Sequence, residues 1–405
     1  MNNPVFNNVS TLNVLLYGEP IATITNVGND RTLFAFTDTY ANNEARPVLG
    51  LGFKDALGGL ITNFKPTQTK LTPYFSNLLP EETMRNYLAE RAGVNPAREF
   101  FLLWVLGQDL AGAITVMPAD GEALPPNVHE DIEEETKHEA PMRFSLAGVQ
   151  LKFSAVQHAS GGLTIPASGT GGSWIVKLPS SRFEAVPENE FAMMEMARML
   201  GMDVPETQLL PIEQIANIPE GIGKFGGSFK NAQAFAIKRF DRADGQAIHI
   251  EDFAQVFGVY PQDKYKKASM RNIAQVIGIE GQEQDIAEFI RRLVFNTLIG
   301  NADMHLKNWS VIYKDKRTLT SSSNGVTATG EKTAMSLHWG GKLMAGALVA
   351  TLALGTAIDA NAKRMGGSRS IGKQSSTVTQ RQQTPPATTP SPTQQAAPAA
   401  QPSPA

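Results

Sequence analysis

One short polar loop carries four side chains that can do chemistry. The stretch "GNADMHLKNWS", residues 300–310, contains Asp303, His305, Lys307 and Asn308. An Asp carboxylate can accept a proton, and an Asn carboxamide oxygen can bind a hard metal ion such as Mg²⁺. Such a set suits phosphoryl transfer, which needs positioned oxygens and positive charge rather than covalent chemistry by the protein. The alternative is a turn in which Asp303 caps backbone amides, and the loop alone favours that alternative.

The sequence on both sides of this loop predicts rigid elements. Before it, "DIAEFIRRLVFNTLIG" has apolar residues at helical spacing, and Gly300 is a natural helix terminator. After it, "WSVIY" predicts a strand. We therefore expect the loop to lie between a strand and a helix that buries one apolar face. The residues of that face are Ile286, Phe289, Ile290, Leu293, Val294, Thr297 and Leu298.

Upstream stretches supply further parts of a phosphoryl-transfer site. Asp303 and Asn308 have the Asp-x-x-x-x-Asn spacing of a protein-kinase catalytic loop. "SWIVKLP" predicts a strand that ends near Lys177, comparable to the strand lysine that contacts nucleotide phosphates. "ENEFAMMEMARMLG" predicts a helix with Glu190 and Glu195, either of which could bind this lysine. Glu190 is favoured because it lies in the first turn.

A third stretch, "QAFAIKRFDR", predicts a strand that runs into polar residues. In kinase order, this is where a hinge would hold adenine through backbone groups. The residues assigned to nucleotide binding here are Lys238, Arg239, Phe240 and Asp241. These parts follow one another in the order found in kinases: the strand with the lysine, the helix with the glutamate, the hinge, and the loop with Asp and Asn. A chance match of a single motif would not produce this order.

The segment expected to cover the nucleotide is less standard. "RFSLAGVQLKFSA" has a single glycine, so it is not the usual glycine-rich loop. Its backbone amides and one cation could still lie over phosphates. The residues assigned to this role are Ala147, Gly148, Val149, Gln150 and Lys152. The alternative is an ordinary hairpin.

The composition restricts the chemistry further. The chain has 405 residues, of which 42% are hydrophobic and 19% charged, as is ordinary for a soluble globular protein. It has no cysteine, which excludes disulfides, thiolate-bound zinc and a Cys nucleophile. A net charge of −3 gives no electrostatic reason to expect direct binding to nucleic acid. The first residues lack the basic and apolar pattern of a signal peptide, so we expect a cytoplasmic protein.

Taken together, these motifs resemble the HipA-type serine/threonine kinases, toxins of bacterial type II toxin–antitoxin pairs. The resemblance covers roughly residues 12–313. It rests on seven stretches in order: "FSNLLPEE", "RFSLAGVQLKFSA", "WIVKLP", "NEFAMMEMARMLGMDVPET", "AIKRFDR", "IEDFAQVFGVYPQDKY" and "LIGNADMHLKNWSV". It implies an α+β, bilobed protein-kinase-like fold with an N-terminal β-rich subdomain. No chemical role is assigned to "EDFAQVFG", which is explained equally well by helix packing.

The resemblance also implies roles for individual residues. Asp303 would be the catalytic base and Asn308 a magnesium ligand, with His305 beside the transferring phosphate and Lys307 in the same catalytic group. Ser145 occupies the family's inhibitory autophosphorylation position. ATP and Mg²⁺ are the implied cofactors. The implied partners are a helix-turn-helix antitoxin of the HipB type, operator DNA only through that antitoxin, and an aminoacyl-tRNA synthetase as candidate substrate.

The sequence divides into six parts. We predict an N-terminal subdomain, an acidic linker containing "HEDIEEETKHE", a kinase core, an irregular junction, a signal-peptide-like apolar segment and a disordered tail rich in Ser, Thr, Gln, Pro and Ala. The two histidines of the linker could suggest a metal site, but their spacing is not His-Glu-x-x-His, so a solvated linker is favoured. The boundaries are 10–120, 121–142, 143–313, 314–334, 335–362 and 363–405.

The sequence after Tyr313 departs from the family pattern. The resemblance calls for a second metal-binding Asp and further helices, and the acids after Asn308 are Asp315, Glu331 and Asp359, none in that context. We therefore expect a truncated C-lobe, with residues 335–385 resembling the signal peptide and N-terminus of a bacterial Tim44-like protein. Three functions follow: a toxin-type protein kinase, a catalytically inactive relative that binds nucleotide or antitoxin, and, with the least support, an envelope protein exported or anchored through the internal apolar segment.

Overall fold

The structure is a computed structural model, and it describes most of the chain before residue 318. All described residues belong to the first of two compact units, Met1–His338. The described ranges are 9–122, 125, 142, 146, 151–158, 162–180, 183–219, 231–243, 245–313, 315–317 and 326–328. The predictions for the "HEDIEEETKHE" linker, the signal-peptide-like segment and the tail lie outside these residues. So do those for Ser145, Ala147, Gly148, Val149 and Gln150.

An N-terminal module begins the fold. Its strands form an antiparallel sheet in the order β4-β3-β2-β1-β5. They are β1 (Thr11–Leu16), β2 (Glu19–Asn26), β3 (Arg31–Phe36), β4 (Thr67–Gln68) and β5 (Ile114–Pro118). Strand β1 alternates buried and half-buried residues, as expected when one face of a sheet packs on a core.

Four helices complete this module. They are α1 (Asp38–Ala41), α2 (Pro73–Ser76), α3 (Glu82–Ala92) and α4 (Glu99–Leu106). Helix α3 ends at Gly93, whose positive φ of 67° is the left-handed conformation that glycine adopts at helix ends. All eight residues of α4 are buried, including the carboxylate of Glu99, which accepts hydrogen bonds from Ser76, Arg85 and the Leu71 amide. The helix therefore lies inside the module.

A second sheet follows and carries the predicted lysine and hinge strands. Its order is β10-β7-β6-β8-β11-β9, and its pairs are antiparallel except β10 with β7. A fifth helix, α5 (Val186–Met199), contacts β11 and β9. The strands are β6 (Lys152–Gln157), β7 (Leu163–Thr164), β8 (Trp174–Lys177), β9 (Thr207–Pro211), β10 (Ile215–Ala216) and β11 (Gln233–Lys238).

The last part places the catalytic-loop sequence between a helix and a strand, as predicted. Strand β15 pairs with β14 on one side and with β16 on the other. The strands here are β12 (Arg242–Ala243), β13 (Gln246–Ala247), β14 (His249–Asp252), β15 (Trp309–Tyr313) and β16 (Val326–Ala328). The helices are α6 (Phe253–Val256), α7 (Met270–Glu280) and α8 (Glu283–Leu298).

Two large apolar clusters hold these parts together. The first joins the N-terminal module to the sheet of β6–β11 in one core. The second gathers α6, α7, α8 and β15, with Phe253, Ile277, Phe289 and Trp309 among its buried residues. The prediction of an α+β fold is confirmed. Among the helices of the described residues, none combines the length and apolar character that crossing a bilayer requires.

The predicted apolar face of α8 is wrong in part. Phe289 is buried and Leu293 is half-buried, but Ile290, Val294 and Leu298 are 52%, 51% and 61% exposed. The apolar stripe is wider than the side of the helix that the second cluster covers. The buried side is instead completed by Asp285, Arg292, Phe295 and Asn296.

Candidate functional site

The loop after α8 is tied to the end of that helix. Gly300 turns the chain with a positive φ of 71°. Asn301 then donates its amide to the Asn296 carbonyl (2.8 Å) and its Nδ2 to Asn296 Oδ1 (2.7 Å). The Oδ1 of Asn301 in turn accepts the amide of Asp303 at 2.9 Å. These bonds fix the backbone of Asp303, and a short 3-10 turn, Leu306–Asn308, leads on into β15.

The structure brings Asp303 and Asn308 into contact. The Nδ2 of Asn308 donates to the Asp303 carbonyl at 2.5 Å and lies 3.3 Å from Asp303 Oδ2. This arrangement directs the carboxamide oxygen, Asn308 Oδ1, away from Asp303. That oxygen is buried and has no hydrogen-bond partner within the described part of the chain. A buried oxygen in this state costs free energy unless a donor or a cation meets it, so the residue fits the role of a Mg²⁺ ligand.

The other carboxylate oxygen of Asp303 faces two further side chains. The Tyr265 hydroxyl donates a hydrogen bond to Asp303 Oδ1, and His305 Nε2 lies 3.5 Å from the same oxygen. The rings of Tyr265 and His305 meet edge to face, 4.8 Å between centroids. Burial, followed by the bond to Asp303, raises the pKa of Tyr265, so the phenol keeps its proton at neutral pH.

The Lys307 ammonium contacts residues of the N-terminal module. Its ammonium donates to the Asn77 carbonyl at 2.7 Å and lies 3.3 Å from Glu81 Oε1. Glu81 also binds Lys264 at 2.7 Å. These contacts join the loop to the N-terminal module, so they support a positioning role, and the assignment of Lys307 to catalysis stays a prediction.

The predicted lysine of β8 contacts the predicted glutamate of α5. Lys177 and Glu190 form an ion pair that is fully buried, and the Lys177 ammonium lies 5.4 Å from the centroid of the Phe235 ring. Glu195, the other candidate, binds Arg198 and Thr207 instead. The choice of Glu190 is therefore confirmed as a contact. A buried pair of this kind holds the lysine head in one place, as a phosphate-binding role would need.

Lys152 lies directly opposite Lys177 in the pairing of β6 with β8. Opposed residues of an antiparallel pair project from the same face of the sheet, so the two lysines concentrate positive charge there. Both are buried, at 1% and 0% exposure. Of the residues assigned to the covering segment, Lys152 is the one that the described ranges include.

The predicted hinge residues make backbone hydrogen bonds within the protein. The amides of Lys238 and Arg239 donate to the Glu206 carbonyl (2.9 Å) and the Ser173 carbonyl (2.8 Å). Those two amides are therefore bonded within the protein, and adenine binding through other backbone groups of Lys238, Arg239, Phe240 and Asp241 stays a prediction. Phe240 is half-buried in the turn after β11.

The side chains of Arg239 and Asp241 belong to a buried ion cluster that the sequence did not reveal. Arg239 pairs with Asp109 at 2.8 Å and with Asp241 at 2.9 Å, and Arg242 binds the same two carboxylates. Burial alone would raise the pKa of Asp241, but the guanidinium groups of Arg239 and Arg242 hold it below its usual range. Asp109 lies in the N-terminal module, between α4 and β5, and sequence gave no signal for it. The cluster joins that module to the hinge.

A second buried polar group links the N-terminal module to β14. Glu251 accepts hydrogen bonds from the Tyr313 hydroxyl and from the Leu51 amide (2.7 Å), and burial raises its pKa to about 8. His249 contacts the Leu49 carbonyl at 2.7 Å, and burial lowers its pKa to about 4. The "EDFAQVFG" stretch therefore has a role in docking the two parts, beyond the helix packing considered from sequence.

Comparisons with known proteins agree on one family. The protein-family model described as HipA N-terminal domain matches residues 12–117. The family model described as HipA-like C-terminal domain matches residues 144–340. A Sinorhizobium fredii protein named "Putative kinase Y4dM" is 58% identical over 312 residues, which are 76% of this chain and 75% of that protein. The Shewanella oneidensis "Serine/threonine-protein kinase toxin HipA" is 28% identical over 283 residues, 60% of each.

The fold comparison points the same way. A chain from the solved Shewanella oneidensis MR-1 complex of HipA, HipB and operator DNA aligns with a TM-score of 0.55. The alignment covers 76% of this chain and 74% of that one, at 22% sequence identity. This likeness concerns the fold alone.

Proposed function

The chain belongs to the HipA family, and on this premise we propose that it is a serine/threonine protein kinase of the toxin type that uses ATP and Mg²⁺. The observation that carries the proposal is the contact of Asp303 with Asn308. In this contact, Asp303 Oδ1 accepts a hydrogen bond from the Tyr265 hydroxyl, and the buried Asn308 Oδ1 points away from Asp303. A proton acceptor and a metal ligand so close together are what phosphoryl transfer to an alcohol requires.

In the proposed reaction, a Ser or Thr hydroxyl of the substrate donates its proton to Asp303 as its oxygen bonds to the γ-phosphorus of ATP. The bond between that phosphorus and the β–γ bridging oxygen breaks, and ADP leaves. His305, buried beside Asp303, limits the positions that the carboxylate can take. Asn308 would hold Mg²⁺, which when bound neutralises negative charge on the phosphates.

Lys177 would contact the phosphates from the sheet. Its ammonium is fixed by Glu190 and by the Phe235 ring, so little side-chain freedom remains to be lost when nucleotide binds. Lys152 would add charge from the neighbouring strand. Gln150, Gly148 and their neighbours stay predicted parts of the cover over the phosphates, and Ser145 a predicted autophosphorylation site.

The proposed partner is an antitoxin of the HipB type. It is supported by the fold likeness to a chain from a complex that contains HipA, HipB and operator DNA. Contact with DNA would then be indirect, which agrees with the chain's net charge of −3. An aminoacyl-tRNA synthetase is the candidate protein substrate.

The test of the proposed function is transfer of label from γ-labelled ATP. The full chain is incubated with Mg²⁺ and casein as acceptor, and the phosphorylated residues of both proteins are identified by mass spectrometry. Label on Ser or Thr that disappears when Mg²⁺ is chelated supports the proposal. No label on either protein, at ATP concentrations well above the measured dissociation constant, contradicts it.

The position of Asp315 favours a second candidate, a chain that binds nucleotide or antitoxin without transferring phosphate. Kinases hold Mg²⁺ with a second Asp besides the loop Asn. Asp315 is the one acidic residue in the described part of the chain after Asn308, and it is separated from Asn308 by the five residues of β15 and by Lys314. A strand of that length spans about 17 Å, too far for one metal ion. Binding of ATP without any transfer of label to casein would identify this second candidate.

A further inference from the structure

Tyr265 is held against the proposed catalytic base. Its hydroxyl donates to Asp303 Oδ1, and its ring packs edge-on against His305. The neighbouring residue is anchored: Lys264 binds Glu81 through its ammonium at 2.7 Å and accepts the Leu306 amide through its carbonyl at 3.3 Å. The tyrosine is therefore kept beside the loop by the backbone next to it, in addition to its own hydrogen bond.

The Tyr265 hydroxyl makes the contact that a substrate hydroxyl would need. The two oxygens of Asp303 differ: Oδ2 is near the Asn308 amide, while Oδ1 accepts the O–H of Tyr265. A base within hydrogen-bond reach of the hydroxyl that it deprotonates is the first geometric requirement of the reaction. With Tyr265 in place, Oδ1 is already occupied by a donor, so any other hydroxyl must first displace the phenol.

Displacement is feasible because the tyrosine is not locked in a core. Tyr265 is 59% exposed to solvent. A water molecule that replaced the phenol would exchange one hydrogen bond for another and lose the ring contact with His305. A protein substrate would replace the same hydrogen bond and add contacts of its own, so it is the better competitor.

We propose that Tyr265 is a specificity-determining residue: its hydroxyl shields Asp303 from water and gives way to the hydroxyl of a protein substrate. This inference rests on the proposed function, because it takes Asp303 as the base. It predicts that the intact chain hydrolyses ATP slowly when no acceptor protein is present. Removal of the phenolic oxygen opens the base to water without removing any group that binds ATP.

The experiment compares ATP hydrolysis without acceptor in the full chain, in Tyr265→Phe and in Tyr260→Phe. Tyr260 is the matched control because it lies on the same segment and its hydroxyl donates to the Leu71 carbonyl at 3.2 Å, away from Asp303. We expect hydrolysis to rise roughly 3- to 10-fold in Tyr265→Phe, in line with the net contribution of one ordinary intramolecular hydrogen bond. Tyr260→Phe should hydrolyse ATP at the parent rate.

A structural role would give the opposite result. If Tyr265 only holds Asp303 in position, Tyr265→Phe will lower hydrolysis together with label transfer to casein, and the inference is overturned. Unchanged hydrolysis overturns it as well. Tyr265→Leu, which also lacks the donor, must reproduce the rise, and circular dichroism checks that both variants fold.

Asp303→Asn separates failure of this inference from failure of the proposed function. If the parent chain transfers label to casein and Asp303→Asn does not, the proposed function stands whatever the Tyr265 variants do. If the parent chain has no turnover that depends on Asp303, both the proposed function and the role of Tyr265 are overturned.

Discussion

Arg239 and Asp109 form a buried ion pair, with Nη1 of the arginine 2.8 Å from Oδ1 of the aspartate. The arginine follows the last residue of β11, and the aspartate belongs to the N-terminal module. Asp109 Oδ2 also accepts the Gly171 amide at 3.2 Å, just before the strand that carries Lys177. One carboxylate therefore fixes the module against both the hinge and the lysine strand.

Asp109→Ala should destabilise the whole described unit. The change leaves the Arg239 charge buried with one of its two carboxylate partners gone, and loss of one member of a buried pair costs about 3–5 kcal/mol. Urea unfolding at 25 °C measures the effect. Glu206→Ala is the control, because Glu206 pairs with Lys238 at 3.8 Å and both side chains are about half exposed. A loss below about 1 kcal/mol for Asp109→Ala would mean that the pair is not buried as described.

Lys177→Met should weaken ATP binding by about tenfold or more, because it removes a fixed cation from the phosphate site. Titration calorimetry with ATP and Mg²⁺ measures the dissociation constant. Lys54→Met is the matched control: Lys54 also forms an ion pair, with Glu280 at 2.7 Å, but about a third of its side chain is exposed. Unaltered ATP affinity in a folded Lys177→Met protein would rule out the phosphate role.

Asn308→Ala should raise the Mg²⁺ concentration needed for half-maximal transfer, by roughly tenfold. The buried oxygen Oδ1 is the proposed ligand, and alanine has no oxygen to replace it. Transfer to casein is measured over a Mg²⁺ series, with Asn43→Ala, an exposed asparagine of the N-terminal module, as control. An unchanged Mg²⁺ dependence would contradict the assignment of Asn308.

The buried group at β14 predicts how stability depends on pH. The pKa of Glu251 is raised from 4.5 to about 8, so the folded state binds the proton more tightly than the unfolded chain does. The stabilisation of the folded state by this proton is complete below pH 4.5 and is lost as the pH rises towards 8. His249, whose pKa is lowered from 6.5 to about 4, acts the other way: its contribution is lost as the pH falls from 6.5 towards 4.

Above pH 6.5, His249 is neutral in both the folded and the unfolded chain, so of these two residues only Glu251 changes the unfolding free energy with pH. Relative to Glu251→Gln, the parent chain should lose about 2 kcal/mol of unfolding free energy between pH 6.5 and pH 8. Gln keeps an oxygen that can accept from the Tyr313 hydroxyl and the Leu51 amide but does not titrate in this range. Urea unfolding of both proteins at the two pH values gives the difference. Parallel pH profiles would show that Glu251 is not protonated in the folded chain.

Sequence predicted the elements that local patterns determine. The strand "WIVK" that ends at Lys177, the helix that carries Glu190 and the strand after Asn308 are all present, since their β-branched runs and apolar periodicity act locally. The pairing of Lys177 with Glu190 also follows from two neighbouring elements in kinase order. The strands and helices are short-range features, and the order of the motifs predicted which of their residues pair.

Contacts between distant segments could not be predicted in the same way. Tyr265 was part of a quoted motif, yet nothing in "PQDKY" indicates a bond to Asp303, 38 positions further along the chain. Asp109 had no signal at all, because its partners Arg239 and Arg242 are about 130 residues away. The sequence also placed Lys307 with the catalytic group, while its ammonium is bonded to the Asn77 carbonyl. Docking of the N-terminal module determines the contacts of Asp109 and Lys307, and packing between two segments of the C-terminal part determines the bond of Tyr265 to Asp303.

The central claim, that Asp303 is the base of a protein kinase, is tested most directly by label transfer from γ-labelled ATP in Asp303→Asn. Asparagine keeps the shape of the side chain but cannot accept the proton, so transfer to casein should fall by at least about 100-fold. ATP affinity should be unchanged, and Glu283→Gln, an exposed acid on α8, should retain full transfer. Full transfer by Asp303→Asn would contradict the account.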